Sequence, residues 1–463
     1  MALDITLSEQ HADSLRRLLT RPDGSEAAAY ILFGDAHVGI DTWHGAPRRR
    51  LVSHRGVPIA ASDMVSASAR HVTWATSGFM RLLTEARAEG LIPGLVHSHP
   101  SGFDAFSDQD DRNEAELART AANKGHAGLA SLVLVGADTF IGRFWSGPGS
   151  VTEADAVRSV GARLHFWPRH QVQPDAAFLA RQATLFGPSF NPLLARLRIA
   201  IVGCGGTGSA ITMLLMRLGV GHLVLIDGDV VDATNLNRLH GATAADIGSP
   251  KVDVLAREVR RTGLGTKVAT SQGWLGAATT QDALSSVDLV FGCTDDHHGR
   301  LLLNRFAYAY ATPLIDLGLR IRPKATGASP EMTGRVSTVL PGRPCLLCLG
   351  AVDPRMAAED ALRRKDPAEH ARRKAEAYVV GGGDPAPAVV TFTTELAAAA
   401  VNEMIDGLTG FRGPNGMAHN RVRRFDTSQD RLTSCTALPH CPVCQGSTLV
   451  GRGDLQPFLG VLP

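Results

Sequence analysis

Short apolar runs separated by polar turns make up the first third of the chain. EAAAYILFGD (26–35) predicts a strand closing in a turn, and LIPGLVHSHP (91–100) a second strand stopped by proline. SDQDDRNEAELARTAANKG (107–125) predicts a helix ended by glycine, and SLVLVG and FIGRFW two further short strands. Mixed strands and helices of this kind predict a compact α/β domain, of α+β or three-layer type, over residues 1–150. Residues 151–180 read as a linker with helical pieces, followed by a break at PSFNP (188–192). From Arg198 the rhythm becomes regular. IAIVG, LVLID, DLVFGC and PLIDLG are apolar strands with helical stretches between them, which predicts a Rossmann-like, doubly wound parallel sheet over 181–445. In the first of those helices Ile211, Leu214, Leu215 and Leu218 fall at i, i+3, i+4 and i+7, one apolar face. Residues 353–387 interrupt the rhythm with a charged helical run and then GGGDPAP. They read either as a solvated surface helix with a loose loop or as a segment that crosses a substrate. Residues 446–463 form a tail.

Composition narrows the class. At 463 residues two or three domains are expected, and 44% hydrophobic with 20% charged residues is ordinary for a globular chain. A net charge of +2 gives no electrostatic reason to expect nucleic acid or a membrane surface as partner. No apolar run approaches the roughly 18 residues of a membrane span. The start, MALDITLSEQHAD, lacks the basic and apolar regions of a signal peptide, so a cytoplasmic location is expected. Of seven cysteines, four form two CxxC pairs, which favours metal over cystine.

His97 and His99 alternate on a strand, so both imidazoles share a face. Asp110 opens the next helix. Two histidines and a carboxylate fill three corners of a catalytic zinc site and leave the fourth for water, which the metal acidifies to a pKa of about 7. Glu26 is the upstream candidate for general base, and Ser107 for a hydrogen bond to the oxyanion. Ser107-x-x-Asp110 is equally a capping-box helix start. The spacing His-x-His-x7-Ser-x-x-Asp resembles the JAMM (JAB/MPN) metalloprotease family, matched without gaps at His97, His99, Ser107 and Asp110. That resemblance implies zinc-dependent cleavage at the C-terminus of ubiquitin or a ubiquitin-like protein, or release of a small adduct from a sulfur carrier.

The second centre is GCGGTG, with Gly203, Gly205, Gly206 and Gly208 between a strand and a helix, where backbone approaches phosphate and the helix N-terminus attracts it. Asp227 ends the next strand, 24 positions after Gly203, placed to accept from a ribose. By itself this pattern most often belongs to an NAD or FAD dehydrogenase. Asp229 follows as a further cofactor-binding candidate, Asn235, Arg238 and Lys251 come next, suited to a polyphosphate, and Asp295 lies past a later strand, where a carboxylate can hold magnesium. Cys345-x-x-Cys348 and Cys441-x-x-Cys444 supply the four thiolates of a structural zinc site. Together these resemble the ThiF/MoeB-type adenylyltransferases and the adenylation domains of ubiquitin-activating enzymes, over residues 179–445. The resemblance implies ATP, with Asp227 on its ribose, Arg238, Lys251 and Asn235 at the phosphates and Asp295 on Mg2+. It also implies a homodimer, with Arg181 reaching the partner's site, and a substrate protein ending in Gly-Gly whose carboxylate attacks the α-phosphate. From Leu349 to Ser434 there is no cysteine to form a thioester. Cys204 and Cys293 read as packing residues and Cys435 as part of the approach to the zinc pairs, so the acyl-adenylate would pass to a separate sulfur donor or conjugating enzyme. The expectation is a bifunctional enzyme that processes and ATP-activates a ubiquitin-like or sulfur-carrier protein. The alternative is adenylation of a short peptide or small carboxylate, with one domain serving only to bind the carrier.

Overall fold

The computed structural model describes residues 1–454 apart from 69–70, 173, 175–176, 323–330, 377–387 and 447. It divides into two units. The first comprises residues 1–171 with 308–311 and the described part of 447–458.

The first unit carries β1 (Ala2–Ser8), α1 (Glu9–Leu19), β2 (Ala28–Val38), β3 (Arg48–Pro58), β4 (Met64–Ser68), β5 (His71–Trp74), α2 (Thr76–Glu89), β6 (Ile92–His99), α3 (Asp108–Asn123) and β7 (Leu129–Val135). It ends with β8 (Thr139–Gly147), β9 (Ser150–Glu153), β10 (Ala156–Val160) and β11 (Leu164–Pro168). Nine strands form one sheet in the order β11-β10-β1-β3-β2-β6-β7-β8-β9, and β4 and β5 pair separately. Alternation along β2 sends Ala29, Ile31 and Phe33 to a core shared with Ala12, Leu15 and Leu19 of α1. Tyr30 and Leu32 point to the other face, against Phe79, Leu82 and Leu83 of α2 and Ala118 and Ala121 of α3. The result is three layers.

Two expectations are corrected here. Residues 151–168 are not a linker, because β9, β10 and β11 belong to the sheet, and β10 pairs in parallel with β1. These strands give little signal in the sequence because they are short, β9 is largely exposed, and β10 carries the buried Arg158, whose Nε donates to Thr6 Oγ1 at 2.8 Å. Nor does the strand close at Gly34. β2 continues to Val38, pairing there with β3 and no longer with β6. Residues 448–454 line the side of β2 that β6 leaves open. Asp454 N donates to Asp35 O (2.8 Å), and His37 N donates to the Asp454 carboxylate (2.7 Å). A Cβ on Gly34 would lie 2.3 Å from Gly451 O, so the glycine is required by this crossing. Part of the expected tail is therefore integral to this unit; the remainder, 455–463, lies outside the described residues.

The second unit begins with α4 (Ala180–Phe186), α5 (Phe190–Arg196), β12 (Arg198–Val202), α6 (Gly206–Arg217), β13 (His222–Asp227), α7 (Lys251–Thr262), β14 (Lys267–Gln272), α8 (Ala278–Ser285) and β15 (Leu289–Gly292). It continues through α9 (His297–Ala309), β16 (Leu314–Arg322), β17 (Glu331–Val339), α10 (Pro354–Lys365), α11 (Pro367–Glu376), α12 (Val390–Thr409), β18 (Asn420–Arg424) and β19 (Gln429–Thr433). Its sheet runs β14-β13-β12-β15-β16-β17-β18-β19. The first five strands are parallel, in the order expected of a doubly wound sheet, and the last three are antiparallel. On α6, Ile211 and Leu215 are buried, whereas Leu214 and Leu218 are half-buried. The run 353–376 is helical, and GGGDPAP lies outside the described residues. Among the described residues no helix is long and apolar enough to cross a membrane.

Candidate functional site

In the first unit the alternation of β6 puts His97 and His99 on one face, and the register with β7 (His97 opposite Val133, His99 opposite Val135) buries both. Ser107 caps α3. Its hydroxyl accepts from Asp110 N (3.2 Å) and donates to Asp110 Oδ2 (2.8 Å), while Ser107 N donates to the same oxygen (2.7 Å). This box turns the Asp110 carboxylate toward the histidines. His97 Nε2 and His99 Nε2 are 3.1 Å apart, and each lies 3.2 Å and 3.5 Å respectively from an Asp110 oxygen. Donors held about 2.0–2.1 Å from one zinc in tetrahedral directions stand about 3.3 Å apart, so the set fits the ion. His99 Nδ1 lies 3.0 Å from Phe103 O, an arrangement that fixes the ring and leaves Nε2 for the metal. Burial opposes charge on Asp110, yet hydrogen bonds with His97, His99 and Ser107 hold its carboxyl well below the usual carboxylate range.

Glu26 precedes β2. Its N–H donates to Ser68 O (2.7 Å), and Ala27 N donates to Ser98 Oγ (3.0 Å), which anchors this turn beside β6. Burial pushes the Glu26 carboxyl up, a direction that suits a proton acceptor near neutral pH. Ser107 is fully engaged as a cap, so its hydroxyl has to turn before it can reach an oxyanion.

In the second unit the glycine loop joins β12 to α6. Gly203 has φ 92°, and a Cβ there would lie 2.6 Å from Cys293 O. A Cβ on Gly208 would lie 1.9 Å from Gly203 O, whereas Gly205 faces open space, where a ligand can approach. Gly206 opens α6. Asp227 ties two loops together, its carboxylate accepting from Cys204 N (2.6 Å) and Asp229 N (2.7 Å). Burial pushes this carboxyl up. Lys251, first residue of α7, pairs with Asp229 at 2.8 Å. Arg238 packs its stem 3.3 Å from where a Gly206 Cβ would sit and donates to Thr234 O (2.6 Å). Asn235 closes a capping box with Asp232. Asp295 is exposed past β15, and Arg181 is exposed on α4, outside these bonded clusters.

Cys345, Cys348, Cys441 and Cys444 converge. Their sulfurs are 3.9 Å (Cys345–Cys348), 3.6 Å (Cys345–Cys441) and 3.5 Å (Cys348–Cys444) apart. Those gaps far exceed an S–S bond and match the roughly 3.8 Å edge of a tetrahedron with zinc–sulfur bonds of about 2.3 Å. His440, at φ 57°, makes the turn into the second pair. Cys204 and Cys293, whose thiols burial pushes well up, remain packing residues.

Three residues of this edge carried no signal in the sequence. Asp296 caps α9 through Gly299 N (2.7 Å) and pairs with Arg364 of α10 at 3.1 Å. The Arg364 guanidinium lies 3.3 Å from the ring centre of Trp274, which follows β14. Their chemistry appears only when positions 274, 296 and 364 are brought together.

Residues 179–445 match the model of the ThiF family. The chain belongs to that family. Residues 8–146 match the model for prokaryotic homologs of the JAB domain, so a JAB domain precedes the ThiF domain. The ThiF match takes in Arg181 and all four cysteines of the cluster, while the JAB match stops short of β9. The molybdopterin-synthase adenylyltransferase of Escherichia coli is 29% identical over 270 residues, covering 57% of this chain and 94% of that one. The SAMP-activating enzyme E1 of Haloferax volcanii is 29% identical over 163 residues, covering 35% of this chain and 57% of that one, so the match spans little more than half of that relative. A crystal structure of E. coli MccB aligns with a TM-score of 0.45 and 18% identity, covering 58% of this chain and 75% of that one.

Proposed function

We propose that the ThiF domain adenylates the C-terminal carboxylate of a small ubiquitin-like or sulfur-carrier protein ending in Gly-Gly, and that the JAB domain is a zinc peptidase acting at the same terminus. The observation that carries the first half is Asp227, whose carboxylate bridges the glycine loop and the loop leading to Lys251. A ribose hydroxyl bound there directs its phosphates toward the start of α6, over which Arg238 lies. Asp295 is the exposed acid placed to hold Mg2+. The carrier carboxylate oxygen attacks the α-phosphorus, the bond to the pyrophosphate oxygen breaks, and acyl-adenylate and pyrophosphate result. Arg238 and Lys251 neutralise the departing charge, so rate comes from positioning and electrostatics. Dimerisation would bring Arg181 to a neighbouring site.

In the JAB domain His97, His99 and Asp110 would hold a zinc ion, which would supply Lewis acidity toward water near neutral pH. Glu26 takes the proton and returns it to the leaving amine, and Ser107, once turned, donates to the oxyanion. One relative is named as an enzyme that activates SAMP and another as an adenylyltransferase of molybdopterin synthase, which supports a protein substrate, and two centres suited to one carboxyl end support a shared one.

The test is incubation with ATP, magnesium and a candidate Gly-Gly carrier, read by intact mass and pyrophosphate exchange. Carrier plus AMP is the expected adduct. Exchange driven by short peptides but by no protein overturns the carrier reading in favour of peptide adenylation. A carrier extended past Gly-Gly reports the peptidase half by its trimming.

A further inference from the structure

We propose that Glu114, with Arg143 and Phe106, is a positioning device for the JAB metal site, setting the place of Asp110 and Ser107; this rests on the peptidase reading above. Glu114 lies one turn beyond Asp110 on α3, so the two share a helix face. Its carboxylate is buried and takes three donors: Ser131 Oγ (2.6 Å) from β7, and Arg143 Nε (2.7 Å) and Trp145 Nε1 (2.8 Å) from β8. Arg143 is only 4% exposed, and its guanidinium carbon lies 3.7 Å from the ring centre of Phe106, the residue before the Ser107 cap. One buried cation thus grips both sides of the Ser107–Asp110 box. Through Glu114 it fixes the rotation of α3, and through Phe106 the height of the loop that enters it.

Stability alone does not account for this arrangement. A buried ion pair costs desolvation that an apolar set of equal volume avoids. What the pair adds is direction, since three donors from two strands permit the Glu114 carboxylate, and hence the helix face above it, one orientation. An error of about 1 Å in Asp110 would spoil the 3.2 Å and 3.5 Å separations from the histidines.

The test uses the full chain loaded with cobalt(II), whose His/carboxylate spectrum is distinct from the thiolate charge-transfer bands of the four-cysteine site. Glu114→Gln should alter the His/carboxylate bands and weaken metal binding there by about 10–100-fold, the usual cost of disturbing a ligand's support. Phe106→Ala, which leaves the buried pair intact and is expected to fold, should weaken it several-fold and lower kcat for trimming with KM little changed. The thiolate bands and pyrophosphate exchange should stay as in the parent. Unchanged affinity and spectrum in both variants overturns the positioning role while leaving the peptidase reading standing. A parent protein that takes up cobalt only at the cysteines overturns that reading and this proposal with it.

Discussion

The two metal-capable centres differ in what they leave over. The triad of His97, His99 and Asp110 draws its donors from within 14 residues of sequence, on a strand end and a helix start. It supplies three donors, one of them half-buried, with a partly buried glutamate whose proton affinity is raised. The cysteine centre joins two pairs 96 positions apart, supplies four donors and fills every corner. Nearly equal donor spacings therefore serve opposite ends. Around a bound ion, a local, incomplete set would leave a corner for a reactant, and a distant, complete set would tie chain to chain.

The largest effect that would break this contrast is on the triad. His99→Ala should lower trimming of an extended carrier by at least about 10³-fold, the several kcal/mol a metal contributes, with pyrophosphate exchange unchanged. Equal loss of both activities would mean the centres are not separable. Cys441→Ser should do the reverse. One zinc is lost, affinity at that centre falls by about 10²-fold or more, and the thermal midpoint of the ThiF domain drops, because metal binding there is folding energy. Trimming by the JAB domain should survive. Full zinc content and an unchanged midpoint would show that the four thiolates bear no structural load. Asp227→Asn should raise the KM for ATP by about 10-fold or more, the scale of a lost charged hydrogen bond, while leaving both zincs in place. The smallest effect is acid sensitivity confined to the JAB domain. Burial, with His54 nearby, lowers the His11 pKa from 6.5 to about 4. As pH falls below 6.5 the unfolded chain therefore takes the proton first. Stability present above that pH is lost down to about 4, by about 1–3 kcal/mol. Urea midpoints measured against pH should show this slope and lose it in His11→Gln.

The triad was legible because its chemistry is local, since the period of a strand and a cap fixes where His97, His99 and Asp110 point. The glycine loop and Asp227 were legible for the same reason, lying at the ends of β12 and β13. The four cysteines were legible by type, though their convergence required the fold. What stayed hidden depends on distant pairing. β10 carries a buried Arg158 that reads as polar loop until Thr6 and Asp4 are beside it. Gly34 has no visible reason until Gly451 crosses it, and the Arg364–Trp274–Asp296 contact spans three separate segments. Glu114 looked like any acid on a charged helix until β7 and β8 supplied its donors.

The crossing at Gly34 also bears on the order of assembly. His37 waits 417 residues for Asp454. During synthesis the JAB sheet can pair its strands early, but the open flank of β2 stays bare until the ThiF domain has been made behind it. Of the two domains, the one made earlier is thus the one finished later. A nascent chain stalled anywhere before Gly451 would display a half-closed JAB sheet, and extensions or cuts near that residue should be felt first in the JAB domain.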